Sequence, residues 1–369
     1  MQKLGIWINL IKTENPLVSI IILNYNAGDL LLKCVESVFN TYYENYEVIV
    51  VDNVSKDDSH KRCKEKFGKI KLIENTQNYG YCEGNNIGIR NAKGDFIVIL
   101  NPDTIVDPTW LKELLAAYNK QGEGLYQPKI LSLHKSEIIQ STGNMLHLFW
   151  FGFARDKGVK DVNQHNTIEC IGYASGTCLF TSQSTLEKIG LFDSFLFLYH
   201  DDLDLGWRAA QIGIKSYYVP TAVIYHTESY TLKWSGKKFY WLERNRRYCL
   251  LTHYSKNTYT KLLPYLILID IMVWFFYFSK GFIGSKIKAE IDLIKNKNKI
   301  LERCIELENK KLIPDSELIR SFPDDVFVPQ NVSGVITNKS FNFILSKLSK
   351  KAKHSILSSH DKLKTNWLV

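Results

Sequence analysis

The patterned part of the chain begins with an apolar, β-rich run, Val18–Leu23, that stops at Asn24-Tyr25-Asn26-Ala27-Gly28. A run apolar on both faces predicts a strand buried in a parallel sheet. Leu31, Leu32, Val35 and Val38 or Phe39 then recur near helical spacing, which predicts a helix over Asp29 to Phe39. The same alternation continues with a strand at Glu47–Val51, a helix from Lys56 to Phe67, a strand at Ile70–Ile73 and a helix from Glu83 to Asn91. A strand at Phe96–Leu100 follows, and a further helix opens near Pro108, proline being favoured in a first helical turn. This β-α-β-α-β-α-β order predicts a parallel sheet with right-handed crossovers and helices on both faces. Ligands of such sheets bind beyond the carboxyl ends of the strands, where Asn24, Asp52 and Asp103 fall.

Residues 120–165 are less regular. Beyond Gly172 the chain is rich in glycine and aromatics, and pattern returns as a helix over Leu203–Gln211 and short strands at Lys215–Val219 and Ala222–Tyr225. Leu262–Phe278 is strongly apolar with one charge, Asp270, and is marginal against the roughly 20 residues of a membrane span. Tyr265, Trp274 and Tyr277 suit an interfacial belt. Behind the run, Ile283, Ile287, Ile291 and Ile294 share one helical face among lysines, the pattern of a basic amphipathic helix lying on a membrane. The alternative is a buried hairpin packed on the rest of the protein.

Composition changes this picture only in places. With 45% apolar and 23% charged residues over 369 positions, a sizeable core is assured. The net charge of +9 owes much to late lysines, among them Lys286, Lys288, Lys295, Lys297 and Lys299, then Lys347, Lys350, Lys351 and Lys353. They read as a solvated surface or as a contact for anionic lipid; no zinc-finger spacing or other signature points to nucleic acid. The seven cysteines are scattered, odd in number and without a C-x-x-C pair, which argues against a disulfide framework and fits a reducing compartment. The apolar patch Leu4–Leu10 is short for a signal peptide, so a cytoplasmic setting is expected.

Four constellations carry chemistry. Asp52, at a strand end, suits a nucleobase N–H or a ribose hydroxyl, and the glycine- and amide-rich stretch Asn78 to Gly88 suits a diphosphate held by backbone N–H groups. Asn101-Pro102-Asp103 places one carboxylate where it could share a divalent cation with substrate phosphates, though the same tripeptide makes a plain turn. Asp201, Asp202 and Asp204 crowd three carboxylates into four residues, either to cap a helix or to tune one of them as a general base. His226 ends a strand and, paired with Asp103, could complete a metal site; alone it reads as structural.

In order along the chain, these pieces resemble glycosyltransferase family 2, from about Val18 to Tyr254. The resemblance is carried by Val18 to Asn26, Val50-Val51-Asp52-Asn53, Asn78-Tyr79-Gly80 with Gly84 to Gly88, and Leu100 to Thr104. It continues through Ser175-Gly176, Gly190 to Asp193, Asp201 to Asp204 with Trp207-Arg208, and Val219-Pro220 through His226. It implies an α/β, Rossmann-like GT-A fold, a mostly parallel sheet between helices, with a helical C-terminal extension. It implies a catalytic region at 16–255, to which the apolar and basic helices add a membrane-association segment at 256–311 and a tail of open role at 312–369. The implied activity is inverting transfer of a sugar from a dTDP- or UDP-linked donor, rhamnose among the candidates, to a glycan or lipid-linked acceptor. That reaction belongs to cell-surface polysaccharide or glycoconjugate synthesis, at the inner face of the cell membrane. Asp202 is the implied base. Asn24, Tyr25, Asp52, Asn53, Asn78, Gly80, Gly84, Asn85 and Asn101 are implied to surround the nucleotide and donor. Asp201, Asp204, Trp207 and Arg208 are implied to lie near the base and acceptor, and Asp103 and His226 to hold Mg2+ or Mn2+. The chain departs from the family pattern in having Asn101 for the first acid of D-x-D, Asp201 where glutamate is usual and His200 where an aromatic is usual.

Three other readings compete. Ser175, Asp202 and His226 follow the chain order of a serine hydrolase, but Gly172 to Gly176 lacks the G-x-S-x-G elbow. A nicotinamide enzyme needs G-x-G-x-x-G after the first strand, which is absent. A non-catalytic nucleotide-sugar-binding or scaffold protein of the same fold is opposed by Asp103, Asp202 and His226. Of the tripeptides that match N-glycosylation sites, Asn53-Val54-Ser55 falls in the implied nucleotide pocket, so it and those at Asn331 and Asn338 read as chance matches.

Overall fold

The computed structural model describes residues 15–227, 235–326 and 335–365. The Leu4–Leu10 patch and the tripeptide at Asn331 lie outside these. The alternation expected at the N-terminal side is present: β1 (Val18–Asn24), α1 (Asp29–Phe39), β2 (Tyr46–Asp52), α2 (Ser59–Lys66), β3 (Lys71–Glu74), α3 (Gly80–Arg90) and β4 (Phe96–Leu100). After these come β5 (Thr104–Val106), α4 (Trp110–Gln121), β6 (Gly124–Ser132), β7 (Ile139–Ser141), β8 (Asn144–Leu146) and β9 (Gly152–Ala154). Then follow β10 (Glu169–Ile171), β11 (Cys178–Ser182), α5 (Gln183–Ile189), α6 (Asp201–Gln211) and β12 (Lys215–His226). The rest is helical: α7 (Gly236–His253), α8 (Lys256–Ser279), α9 (Ile283–Lys295), α10 (Lys297–Lys310), α11 (Asp315–Ile319) and α12 (Val335–Thr365).

The main sheet runs β10-β12-β6-β11-β4-β1-β2-β3, with β5 on β12 and β7 on β6. The β3-β2-β1-β4 half is parallel, β11 is reversed between β4 and β6, and β6 and β12 are parallel to each other. The irregular stretch expected at 120–165 therefore holds a nine-residue central strand, β6. Gln127, Pro128 and Lys129 broke its apolar pattern, yet Gln127 Nε2 donates to Ser141 at 2.9 Å and Lys129 pairs with Asp161 at 2.9 Å, so these buried polar groups are satisfied. The two short strands expected at 215–225 are one strand, β12, whose register against β6 shifts between Val219 and Val223, around Pro220. Proline cannot donate to a ladder, and a bulge accommodates it.

The core lies on both faces of the sheet. One cluster joins Val18, Ile20 and Ile22 of β1 to Leu31, Val35 and Val38 of α1; the other joins Ile21 and Leu23 to α6, α7 and the later helices. Leu262, Leu266, Leu293, Ile300, Ile319 and Leu345 all belong to that second cluster, so the C-terminal helices pack on the sheet region in one continuous core.

Candidate functional site

Parallel register sets the site. Asn24 pairs with Asp52 across β1 and β2, and Ile22 with Leu100 across β1 and β4, so the chain leaves three strands at one edge. Beyond that edge is a cleft of about 590 Å³ lined by Tyr25, Asn53, Asn78, Gly80, Asn101, Asp103 and His226 among others. It adjoins a second cavity of about 320 Å³ that contains Asp201 and Asp202. Asn101, Ser175, Thr177 and Tyr199 line both.

Asp103 and His226, 123 positions apart by their numbers, meet because β5 pairs antiparallel with β12, His226 opposite Thr104. His226 Nε2 lies 3.2 Å from Asp103 Oδ2, while Asp103 Oδ1 is buried without a hydrogen-bond partner. Gln140, delivered by β7, fixes the imidazole. Its Nε2 donates to the His226 carbonyl at 2.8 Å, which turns Oε1 toward His226 Nδ1 at 2.7 Å. An oxygen there accepts, so Nδ1 carries the proton and the lone pair of Nε2 in neutral histidine points at a carboxylate. Two acceptors facing each other, beside an orphaned carboxylate oxygen, form a cation-seeking arrangement, and a His–carboxylate pair leaves the rest of a divalent metal's shell to substrate oxygens and water. By contrast, the two three-ligand clusters among the described residues are already filled. Arg208 bonds Asp204 beside Cys249 and His253, and the Lys286 ammonium sits within 2.9 Å of Glu243, Asp270 and Glu290.

At the other end, Asp202 Oδ2 accepts from the Gly176 N–H at 3.0 Å and Oδ1 from the Leu203 N–H at 2.9 Å. Burial pushes the Asp202 carboxyl above its ordinary range, and burial together with the Asp202 charge pushes Asp201 well above it. A carboxyl raised in this way holds a proton more strongly than an ordinary one, which suits a general base. The chain enters α6 through three non-glycine residues in left-handed conformation, Phe197, Tyr199 and His200, with φ of 63°, 68° and 62°. Each costs on the order of 1–3 kcal/mol and persists only if its surroundings impose it. Asn245 of α7 does so: its Nδ2 lies 2.9, 2.8 and 2.7 Å from the carbonyls of Leu196, Leu198 and Tyr199. The Phe197 carbonyl in turn accepts from the Tyr81 N–H at 2.6 Å. Nothing in the sequence pattern singled out Gln140 or Asn245.

The structure divides the expected site residues. Tyr25, Asn53, Asn78, Gly80, Asn101, Asp103, His226, Asp201 and Asp202 line the two cavities. Asn24, Asp52, Gly84 and Asn85 stand behind the wall. Asn24 Nδ2 donates to Asp52 at 2.7 Å and Ser59 at 2.8 Å, and Asp52 Oδ2 accepts from the Ser55 N–H at 2.9 Å, so both bind the loops after β1 and β2 to each other. A Cβ on Gly84 would come within 2.5 Å of Leu23, which makes it a packing glycine, and Asn85 is fully buried with its Nδ2 on the Tyr81 carbonyl. Asp204, Trp207 and Arg208 are likewise away from the cavities. Asp204 is buried between Arg208 at 2.8 Å and His253 at 2.8 Å; burial alone would raise its carboxyl, but these partners hold it well below the usual range. Trp207 packs against Trp150 and Tyr254. Asn53 is buried, so its tripeptide cannot carry a glycan in this fold. The hydrolase relay is also absent: Ser175 Oγ accepts from the Thr177 N–H, and both His226 nitrogens face other partners. All seven cysteines are free thiols.

Residues 19–177 match the family described as glycosyl transferase family 2. Over 204 residues the chain is 26% identical to the low-salt glycan biosynthesis hexosyltransferase Agl10 of Haloferax volcanii, covering 53% of this chain and 62% of the relative. It thus spans less than two thirds of that relative's length. It is 22% identical over 234 residues to an N-acetylglucosaminyl-diphospho-decaprenol L-rhamnosyltransferase of Mycobacterium tuberculosis, covering 58% of this chain and 76% of the relative. It is 25% identical over 244 residues to rhamnosyltransferase WbbL of Escherichia coli, covering 61% and 89%. Among solved structures, GalNAc-T7 with UDP, GalNAc and Mn2+ superposes with a TM-score of 0.50 at 20% identity, covering 59% of this chain and 44% of that one. The sheet is that of the GT-A fold, and residues 19–177 are similar to glycosyl transferase family 2.

Proposed function

We propose that this protein transfers a sugar from a nucleotide-diphosphate donor, dTDP- or UDP-linked, to a hydroxyl of a glycan or lipid-linked acceptor, inverting the anomeric centre. The observation that carries this reading is the pair of connected cavities, with two facing acceptors, Asp103 and His226, in one and a buried carboxyl pair, Asp201 and Asp202, in the other.

The donor occupies the larger cleft, with Tyr25, Asn53 and Asn78 around the nucleotide and the lysines Lys157 and Lys237 in the wall to meet the diphosphate. Asp103 and His226 hold a divalent cation, Mg2+ or Mn2+, with Gln140 setting the histidine tautomer. Bound there, the metal supplies neutralisation of the charge that develops on the departing diphosphate. Asp202, oriented by Gly176 and Leu203, takes the proton of the acceptor hydroxyl as its oxygen attacks the anomeric carbon opposite the departing nucleoside diphosphate. Attack from the opposite face inverts the configuration. Asp201 keeps its proton to higher pH than an ordinary carboxyl, which leaves the pair's negative charge to Asp202. The relatives named rhamnosyltransferase support a deoxyhexose donor, and the scattered thiols support a cytoplasmic setting.

The test is donor hydrolysis across a panel of dTDP- and UDP-sugars with Mg2+, Mn2+ or EDTA, for the parent and for Asp103→Ala. Slow release of nucleoside diphosphate from one donor, abolished by EDTA and by the substitution, is the expected result. Silence with every donor, together with no nucleotide binding by calorimetry, refutes the reading.

A further inference from the structure

The isoleucines of α9 point the wrong way for a soluble protein. Its inner face carries Lys286, Ala289 and Leu293, with the Lys286 side chain 0% exposed, while Ile287, Ile291 and Ile294 face outward at 45%, 46% and 68% exposure. Helix α8 repeats the arrangement. Leu262, Leu266, Ile269, Val273 and Tyr277 pack inward, and Ile271, Phe275 and Phe278 stand out at 60%, 71% and 70% exposure, with Leu263, Ile267 and Leu268 beside them. Along each helix these side chains form a stripe, unlike the singly scattered apolar residues of an ordinary surface.

Charge says what covers it. Between residues 256 and 299 every exposed charged side chain is a lysine: Lys256, Lys280, Lys288, Lys295, Lys297 and Lys299. The three acids of the same segment are turned inward. Asp270 and Glu290 bond Lys286 at 2.9 and 2.7 Å, and Asp292 accepts from Tyr240 at 2.9 Å. Apolar faces whose own helices expose only lysines among their charged side chains complement an anionic lipid surface. Helix α8 has the length and apolarity to cross a bilayer. However, its inner face is committed to the core and its Asp270 to a buried cluster with Lys286, Arg246 and Arg247, which a spanning helix would have to break.

We propose that the outer faces of α8 and α9 form a monotopic docking surface that lies on an anionic bilayer, sunk to the depth of its apolar side chains, and does not span it. The helices that carry this surface pack on α7, which also lines the catalytic cleft. Tyr277 Oη donates to the Phe239 carbonyl at 2.8 Å and Phe239 stacks on Phe282 at 4.7 Å, while the neighbouring Lys237 and Leu242 of α7 line the two cavities.

The experiment is flotation of the full chain with vesicles of phosphatidylcholine alone or with added phosphatidylglycerol, whose negative surface attracts basic segments. It compares the parent, Ile271→Glu/Phe275→Glu, Lys288→Glu/Lys295→Glu and the exposed control Tyr42→Glu, and donor hydrolysis is measured on each. Expected are binding to the anionic vesicles that weakens with salt and is extractable by carbonate, an at least tenfold loss in the two paired variants, and parental binding by Tyr42→Glu. Unchanged hydrolysis in the paired variants shows that they fold. No flotation, flotation indifferent to Ile271→Glu/Phe275→Glu, or carbonate-resistant insertion overturns the proposal, as does a dimer of the parent that this variant dissolves without any lipid binding. Absent hydrolysis and absent nucleotide binding by calorimetry, with intact flotation, defeat the transferase reading and leave the docking surface standing.

Discussion

Gln140 offers a sharp test of the site because both of its hydrogen bonds go to His226, the residue it orients. Its two bonds, 2.8 Å to the His226 carbonyl and 2.7 Å to His226 Nδ1, hold the imidazole with Nε2 free toward Asp103. Replacing Gln140 by leucine leaves the Nδ1–H unpaired, removes one of the two donors to the carbonyl, which keeps the Leu133 N–H at 3.0 Å, and frees the ring to adopt the other tautomer. At about 1 kcal/mol net per bond the loss is about 2 kcal/mol. That agrees with the 10–100-fold cost typical of partners that orient a metal-bound histidine, about 1.4–2.7 kcal/mol. Glutamate at the same position separates two causes. Its carboxylate still accepts from Nδ1–H and keeps the tautomer, but it cannot donate to the carbonyl. We therefore expect Gln140→Glu to lose stability while keeping Mn2+ affinity, and Gln140→Leu to lose both. The assay is titration of Mn2+ by electron paramagnetic resonance in the presence of UDP, alongside metal-free melting curves. Leucine binding Mn2+ as tightly as the parent, or glutamate weakening it as much as leucine does, refutes the tautomer argument.

Four other outcomes follow from the same structure. Asp202→Asn should lower kcat on the order of 10²–10⁴-fold with little change in donor KM. The parent's rate should rise with pH as the pair ionises, with its midpoint above the ordinary carboxyl value of 3.8; since a raised carboxyl favours the protonated fold, the pair's contribution to stability is fully present below 3.8 and is lost as pH climbs through the raised value, which rate profiles and melting curves across pH would show. Gly80→Ala should cost at least 1–2 kcal/mol in chemical denaturation and disturb the cleft, because φ is +74° there and the new Cβ would meet Phe197 at 2.5 Å. Glu243, which burial alone would raise, is held by Arg246 and Lys286 at about 2 against an ordinary 4.5. Its contribution, about 3 kcal/mol, is present above pH 4.5 and disappears as pH falls toward 2, so Lys286→Met should destabilise the parent at pH 7 by about 3–5 kcal/mol and flatten the acid limb of the stability curve.

The elements legible in the sequence are those whose signal is local. Helix α1 and strand β4 fall on the expected limits, Asp29–Phe39 and Phe96–Leu100, because the apolar periodicity of each is uninterrupted. The burial of Asp204 with Arg208 was also local: the two stand four residues apart on one helix, the spacing of a neighbouring ion pair, and that reading competes directly with a place beside the acceptor. What was not legible is register between distant strands. Strand β6 hides behind Gln127, Pro128 and Lys129, whose polar atoms are satisfied only by Ser141, Ser175 and Asp161, none of them near in sequence. With β6 unseen, β7 has no partner and Gln140 no reason to approach His226; with β12 read as two pieces, the pairing of His226 with Thr104 that delivers Asp103 is lost as well. The outward isoleucines of α9 carry the same lesson in reverse. Their spacing was visible in the sequence, but which face of the helix the protein keeps for itself is decided by Lys286, and a lysine becomes an inward residue only when Glu243, Asp270 and Glu290 from three helices converge on it. In both places the chemistry depends on polar side chains whose burial is permitted by partners far along the chain, so hydrophobic pattern alone locates the frame of this site and leaves its working atoms to topology.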